Sequence, residues 1–186
     1  MDPAVPRSAM EPNDPIVVRF LDDPKPETYA ELFRLLVPQV FRYFRVRGCD
    51  HALAEDLAQE VMLALYRRRE QLKNRDLFRP WLFQIARNTL LQHIRQRSRR
   101  PVTEELQEIP AAPGDPLAKV QFSEWMQHLD AEEREMVRLK YVDGMEFHEI
   151  ARTLEKPQGT VQWKVFQAVK KLAARFGPAR KESSES

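Results

Sequence analysis

Residues 78–100 read FRPWLFQIARNTLLQHIRQRSRR. With successive side chains turned by about 100°, Leu82, Phe83, Ala86, Leu90 and Ile94 fall on one side of a helix, and Trp81, Gln84, Asn88, Gln92, Arg95 and Arg99 on the other. The first set is a packing face. The second carries one aromatic ring, three amides and two guanidinium groups. Amides and guanidinium groups hydrogen-bond base edges and phosphates, and an indole stacks on an unpaired base. A solvated helix surface with one tryptophan would look the same, so on this helix alone the two readings stand level.

Working outward, the helix begins near Pro80, a residue tolerated in a first turn. Upstream, Tyr29, Leu32, Phe33, Leu36, Val40 and Tyr43 follow helical spacing toward Gly48, with Pro38 expected to kink or restart the helix. A second helix over Leu53–Arg69 turns Ala54, Leu57, Ala58, Val61 and Leu65 inward. These three helices make an N-terminal helical domain over 16–100, preceded by a tail over 1–15 that holds four prolines and is expected to be disordered.

Downstream, residues 101–116 hold four prolines and one glycine without amphipathic period, so they read as an extended linker. A further helix is expected over Leu117–Leu129. Asp130 and Glu133 then suit a capping box for a helix ending before Gly144. A short helix over Glu146–Leu154, a turn at Glu155-Lys156-Pro157-Gln158 and a last helix over Gly159–Phe176 resemble a helix-turn-helix. Helical hairpins also occur in proteins that never touch DNA. The fold class is all-α: two small helical domains joined by an extended acidic Pro-rich linker, the C-terminal one, 117–176, a helix-turn-helix. Residues 177–186 are expected to be a disordered, solvated end.

Charge divides along the same boundaries. The formal net charge is only +2. Residues 16–100, however, carry 17 lysines and arginines against 10 aspartates and glutamates, whereas 101–116 carry Glu104, Glu105, Glu108, Asp115 and no basic residue. A basic module favours a polyanion, and an acidic strap favours a basic channel or surface. The lone Cys49 has no internal partner and no apolar leader is evident, so a cytoplasmic, reducing setting is expected. No run reaches the roughly 18 apolar residues of a membrane span, so no direct membrane insertion is expected. His148-Glu149-Ile150-Ala151-Arg152 lacks the second histidine of a zinc-protease helix. With no Gly-rich phosphate loop and no nucleophile elbow, neither a metal, a cofactor, a catalytic residue nor an enzymatic activity is expected.

Three segments together carry a family resemblance: AEDLAQEVMLALYRRREQL, WLFQIARNTLLQHIRQRSRR and LDAEEREMVRLKYVDGMEFHEIARTLEKPQGTVQWKVFQAVKKLA. In this order and separation they resemble the two conserved regions of the extracytoplasmic-function (group IV) RNA polymerase sigma factors, over roughly residues 27–176. The resemblance implies a subunit that binds core RNA polymerase, recognises minus-thirty-five and minus-ten promoter elements and promotes melting of the DNA, without catalysis of its own. It implies that Asp56, Gln59, Glu60 and Leu63, an acidic and partly apolar stripe at helical spacing, dock on the clamp helices of the largest polymerase subunit, with the flap region as a further contact. Trp81, Gln84, Asn88, Gln92, Arg95, Arg97, Arg99 and Arg100 would meet the minus-ten element, with Leu77, Phe78 and Asn74 as candidates for the pocket of the unstacked base.

The resemblance also implies that the last helix enters the major groove of the minus-thirty-five element. Gln158, Thr160, Val161 and Gln162 would be nearest the bases, and Lys164, Gln167, Lys170 and Lys171 would face backbone or bases. Phe147, Ile150, Val161, Val165, Val169 and Leu172 are expected in the core, and Trp163 is expected to pack against a neighbouring helix. The acidic linker would thread a basic polymerase channel, and an anti-sigma protein is an expected partner. The chain departs from the family at Gln92, where an aspartate is common, and at Glu155, where glycine is. It departs again at Gln162, Trp163, Gln167 and Val169, where polar or basic residues are usual. Fewer fixed phosphate contacts mean weaker binding or a different site. They leave open a DNA-binding regulator or antagonist that does not initiate productively, or a module whose helices bind only a regulator.

Overall fold

The computed structural model describes residues 14–98, 122 and 124–176, and all regular structure among them is helical. Helix α1 (Pro15–Asp22) lies where no helix is expected from the sequence. Asp14 accepts the Ile16 N–H at 3.0 Å, Pro15 occupies the first turn, and Ile16, Val17 and Phe20 are buried. The i, i+1, i+4 spacing of those three residues is the signal, too short to stand out. Helix α2 (Pro26–Val46) runs through Pro38 as one continuous helix, so the helix does not restart there. Pro38 and Arg34 both lie on the exposed side, where water can take the carbonyl that the missing N–H leaves free. Gly48, at φ 89°, ends this segment in a left-handed turn.

Helix α3 (His51–Arg68) starts at Asp50, whose carboxylate accepts the Leu53 N–H at 2.8 Å. It buries Ala54, Leu57, Ala58, Val61, Met62 and Leu65. Two short 3₁₀ turns, Arg69–Gln71 and Arg75–Leu77, lead into α4 (Phe78–Ser98), which starts two residues before the expected Pro80.

In the second half, residues 124–127 are helical, and the expected start of that helix at 117–121 lies outside the described residues. Helix α5 (Ala131–Val137) passes into a π turn over Arg138–Val142. Its capping box is complete: the Glu133 N–H donates to Asp130 at 2.7 Å and the Asp130 N–H donates to Glu133 at 3.1 Å. Helices α6 (Phe147–Leu154) and α7 (Gln158–Phe176) follow, each within one residue of the expected bounds. The turn between them closes through Glu155 at φ 54°, with the Lys156 N–H bonded to the Ala151 carbonyl at 2.8 Å.

The two halves share one hydrophobic core. Tyr43, Leu82, Phe83 and Ala86 belong to the same buried cluster as Met136, Leu139, Met145, Ile150, Leu154, Val161 and Val165. A smaller cluster of Met126, Leu129, Val137 and Ala168, with Phe122 and Leu172 against it, ties α7 to the start of the second half. Helices α4 and α6 therefore pack directly on each other.

Candidate polymerase and nucleic-acid interface

The α3 stripe is open. Asp56, Gln59, Glu60 and Leu63 are all exposed, Leu63 at 52 %, on the side of the helix opposite its buried residues. The nearby His51–Glu55 pair involves neither carboxylate, and no ion pair to Asp56 or Glu60 occurs among the described residues. An uncompensated acidic stripe around an exposed leucine suits a basic surface with an apolar spot.

The α4 face splits in two. Trp81 is half-buried against the core, its ring 6.3 Å from that of Phe78, and the Gln84 amide donates to the Glu155 carboxylate on the α6–α7 turn. Asn88, Gln92 and Arg95 are exposed, Arg97 is partly so, and Arg99 and Arg100 lie outside the described residues. The supporting face is Phe78, Leu82, Phe83, Ile85 and Ala86, all buried. Ile94, expected among them, is 41 % exposed, since at about 100° per residue it has turned roughly 120° from Leu82 and sits at the edge of the packing face. Phe78, at 0 % exposure, is part of the core in this arrangement. Asn74 is exposed and caps the adjacent 3₁₀ turn, and Leu77 is half-buried.

On α7, Gln158, Thr160, Gln162 and Lys170 are exposed and Gln167 is half-buried. Val161 is fully buried with Val165 and Ala168, so it supports the helix rather than reaching bases. Lys164 pairs with Glu132, which also holds Lys156, and Lys171 pairs with Glu133. Hydrogen bonds from Lys156 and Lys164 hold the Glu132 carboxyl below the usual carboxylate range. Val169, expected in the core, is 38 % exposed, and Trp163, expected to pack against a neighbouring helix, is 61 % exposed. Both sit off the Val161–Val165–Ala168–Leu172 stripe, with Trp163 nearly opposite its centre.

Between the halves lies a charged junction that sequence spacing does not reveal. Arg47 bonds Glu135 at 3.0 Å and Asp143 at 3.1 Å, lies 3.4 Å from the Tyr43 ring centre, and shares Glu135 with the Tyr43 hydroxyl, which donates to it at 3.2 Å. Burial raises the Tyr43 hydroxyl well above its ordinary range. It also raises the Asp143 carboxyl, with Arg47 opposing, while Arg47 itself stays protonated with two carboxylates beside it. Arg79 adds a bond to Glu149 at 2.9 Å and further bonds to the Asp143 and Gly144 carbonyls, and the Thr153 hydroxyl donates to the Pro80 carbonyl at 3.3 Å. Beside this junction is a cleft of about 440 Å³ lined by Tyr43, Arg87, Leu90, Leu91, Leu154 and Lys156 among others.

The chain matches the family models Sigma-70 region 2 over residues 32–100 and Sigma-70, region 4 over residues 119–172. It is 29 % identical over 158 residues to the ECF RNA polymerase sigma factor BldN of Streptomyces coelicolor, an alignment covering 79 % of this chain and 60 % of that relative. It is 24 % identical over 156 residues to the ECF RNA polymerase sigma factor SigM of Bacillus subtilis, covering 80 % of this chain and 95 % of SigM. Among solved structures, CnrH in complex with the cytosolic domain of CnrY superposes with a TM-score of 0.66 at 18 % identity, covering 89 % of this chain and 97 % of that one. The sigma factor RpoE in complex with the anti-sigma factor NepR from Bartonella quintana gives 0.57 at 24 % identity, covering 78 % and 95 %. These two likenesses establish the fold. With both family regions in the expected order on that fold, the chain belongs to the extracytoplasmic-function (group IV) RNA polymerase sigma factors, a family of non-enzymatic transcription-initiation factors.

Proposed function

We propose that this chain binds core RNA polymerase through Asp56, Gln59, Glu60 and Leu63 on α3, and carries it to promoters. There α4 meets the minus-ten element and α7 the minus-thirty-five element, and the α4 amides and arginines help hold melted DNA. The observation that carries this reading is the open, unpaired acidic stripe on α3, beside a helix whose Asn88, Gln92 and Arg95 are exposed. Charge complementarity with a basic polymerase surface sets register and association rate, while Leu63 adds burial. A partner protein of the anti-sigma kind belongs to the same reading, since the two solved relatives above were captured with the anti-sigma factor NepR and with the cytosolic domain of CnrY. Among the described residues no helix is long and apolar enough to cross a membrane. The cytoplasm, where polymerase and promoters are, is the proposed site of action.

Promoter binding on this reading requires the halves to part. Elements centred about 25 base pairs apart lie roughly 85 Å apart along B-form DNA, whereas α4 and the α6–α7 turn touch through Gln84 and Glu155. The test is to add the purified chain to bacterial core polymerase with a genomic fragment library and recover heparin-resistant open complexes. Fragments sharing two spaced elements are the expected result. Core binding without any opened fragment would instead favour an antagonist.

A further inference from the structure

Two of the cations that helix α7 offers to DNA are tied up within the chain, and its outward face is largely apolar. The ammonium groups of Lys164 and Lys171 are engaged by Glu132 and Glu133. Opposite the buried stripe, Trp163 is 61 % exposed and Phe166 is 65 % exposed, with Lys170 beside them. At about 100° per residue these three side chains occupy a sector roughly 60° wide. Two large aromatic side chains left in water on one helix face mark a contact surface rather than a packing accident.

Its position says which kind. In a helix-turn-helix the second helix presents the face away from its core to the major groove. On this chain that face is the one holding Trp163 and Phe166. Gly159 stands at its N-terminal end, where an added side chain would meet no atom within 4 Å, so no internal packing accounts for the glycine. A bare backbone there leaves room for close approach of a sugar–phosphate strand. In the major groove, thymine alone among the bases offers a methyl group, and apolar side chains read it by contact, while glutamine pairs with adenine. The fringe of the aromatic pair is Gln162, Gln167 and Lys170, two amides and one cation. That fringe suits base edges and phosphate better than the apolar rim of a protein groove.

The geometry points to Trp163 and Phe166 as specificity-determining residues that read thymine methyl groups in the upstream promoter element, with Gln162 and Gln167 favouring adenine beside them. This rests on the proposed sigma function. It makes the upstream element A·T-rich, read chiefly by apolar contact and only weakly anchored through phosphates.

The experiment replaces single thymines of a recovered upstream element with deoxyuridine, which removes only the methyl group. Binding of the holoenzyme, core polymerase plus the full chain, is then measured. Each contacted thymine should lose roughly fourfold in affinity on replacement, the scale of one buried methyl. In Trp163→Ala/Phe166→Ala holoenzyme the thymine-to-uracil ratio should fall to near one, with core binding and helix content unchanged. Wild-type holoenzyme that selects fragments but binds thymine and uracil versions equally overturns the methyl reading and leaves the sigma reading standing. A chain that binds core yet selects no fragment overturns both.

Discussion

Arg47 and Asp143, 96 residues apart in the chain, meet at 3.1 Å in an ion pair whose side chains are 4 % and 1 % exposed. Glu135 completes the cluster, which joins the α2 end to the π turn after α5. Removing one member of such a pair leaves an uncompensated buried charge, at a cost of about 3–5 kcal/mol. Arg47→Ala is therefore expected to loosen the two halves before it unfolds either. Small-angle scattering should record a larger radius of gyration, and core binding should be retained. An unchanged radius together with an unchanged denaturation midpoint would show that the shared apolar core alone holds the halves together.

Reversal of charge on α3 tests the docking surface. Asp56→Lys with Glu60→Lys is expected to weaken core polymerase binding about tenfold or more, and more strongly at low salt. Both residues are exposed, so the melting temperature should stay within about 2 °C of the wild type. Unaltered core affinity would remove the stripe from the interface.

Much of this arrangement was legible because it is local. The inward sets of α3, the Asp130–Glu133 capping box and the α6–α7 bounds all follow from spacing within one or two turns. What escaped depends on distant partners or on which side of a helix faces water. The Arg47 junction joins residues 88 and 96 positions apart, beyond any periodic signal. Pro38 leaves α2 unbroken because it lies on the exposed side, which composition cannot tell. At Trp163 and Val169, hydrophobicity argued for burial, but the 3.6-residue period puts both outside the Val161–Val165–Ala168 stripe. Lys164 and Lys171 looked like free cations because Glu132 and Glu133 lie more than 30 positions away.

Glu155 occupies the left-handed region at φ 54°, where a side chain costs about 1–2 kcal/mol relative to glycine. Its carboxylate also accepts a bond from Gln84 across the two halves. Glu155→Gly is expected to raise the melting temperature by about 2–4 °C, since an exposed side-chain bond is worth less than the backbone strain. A lower melting temperature would mean that the Gln84 link outweighs it.

Stability at acid pH should depend on Glu132. Its carboxyl lies below the ordinary value of 4.5 in the folded chain because Lys156 and Lys164 bond it. A depressed folded value contributes stability that is present above pH 4.5 and is lost as pH falls through the folded value. Urea midpoints of the wild type and Glu132→Gln should therefore differ at pH 7 and converge toward pH 3. A constant gap across that range would show that the carboxylate charge is not what ties α5 to α7.

Neighbouring lysines on α7 are expected to behave differently, although the sequence treats them alike. Lys170 is exposed on the outward face, and Lys171 is held by the buried Glu133. Lys170→Ala should lower holoenzyme affinity for promoter DNA across sequences and flatten the salt dependence by about one phosphate contact. Lys171→Ala should leave that slope unchanged and instead lower the unfolding midpoint, because it strips the partner from a carboxylate that also caps α5. Measuring slope and midpoint for both variants separates the roles. Equal losses of salt slope would return Lys171 to the DNA-binding face and make its bond to Glu133 incidental.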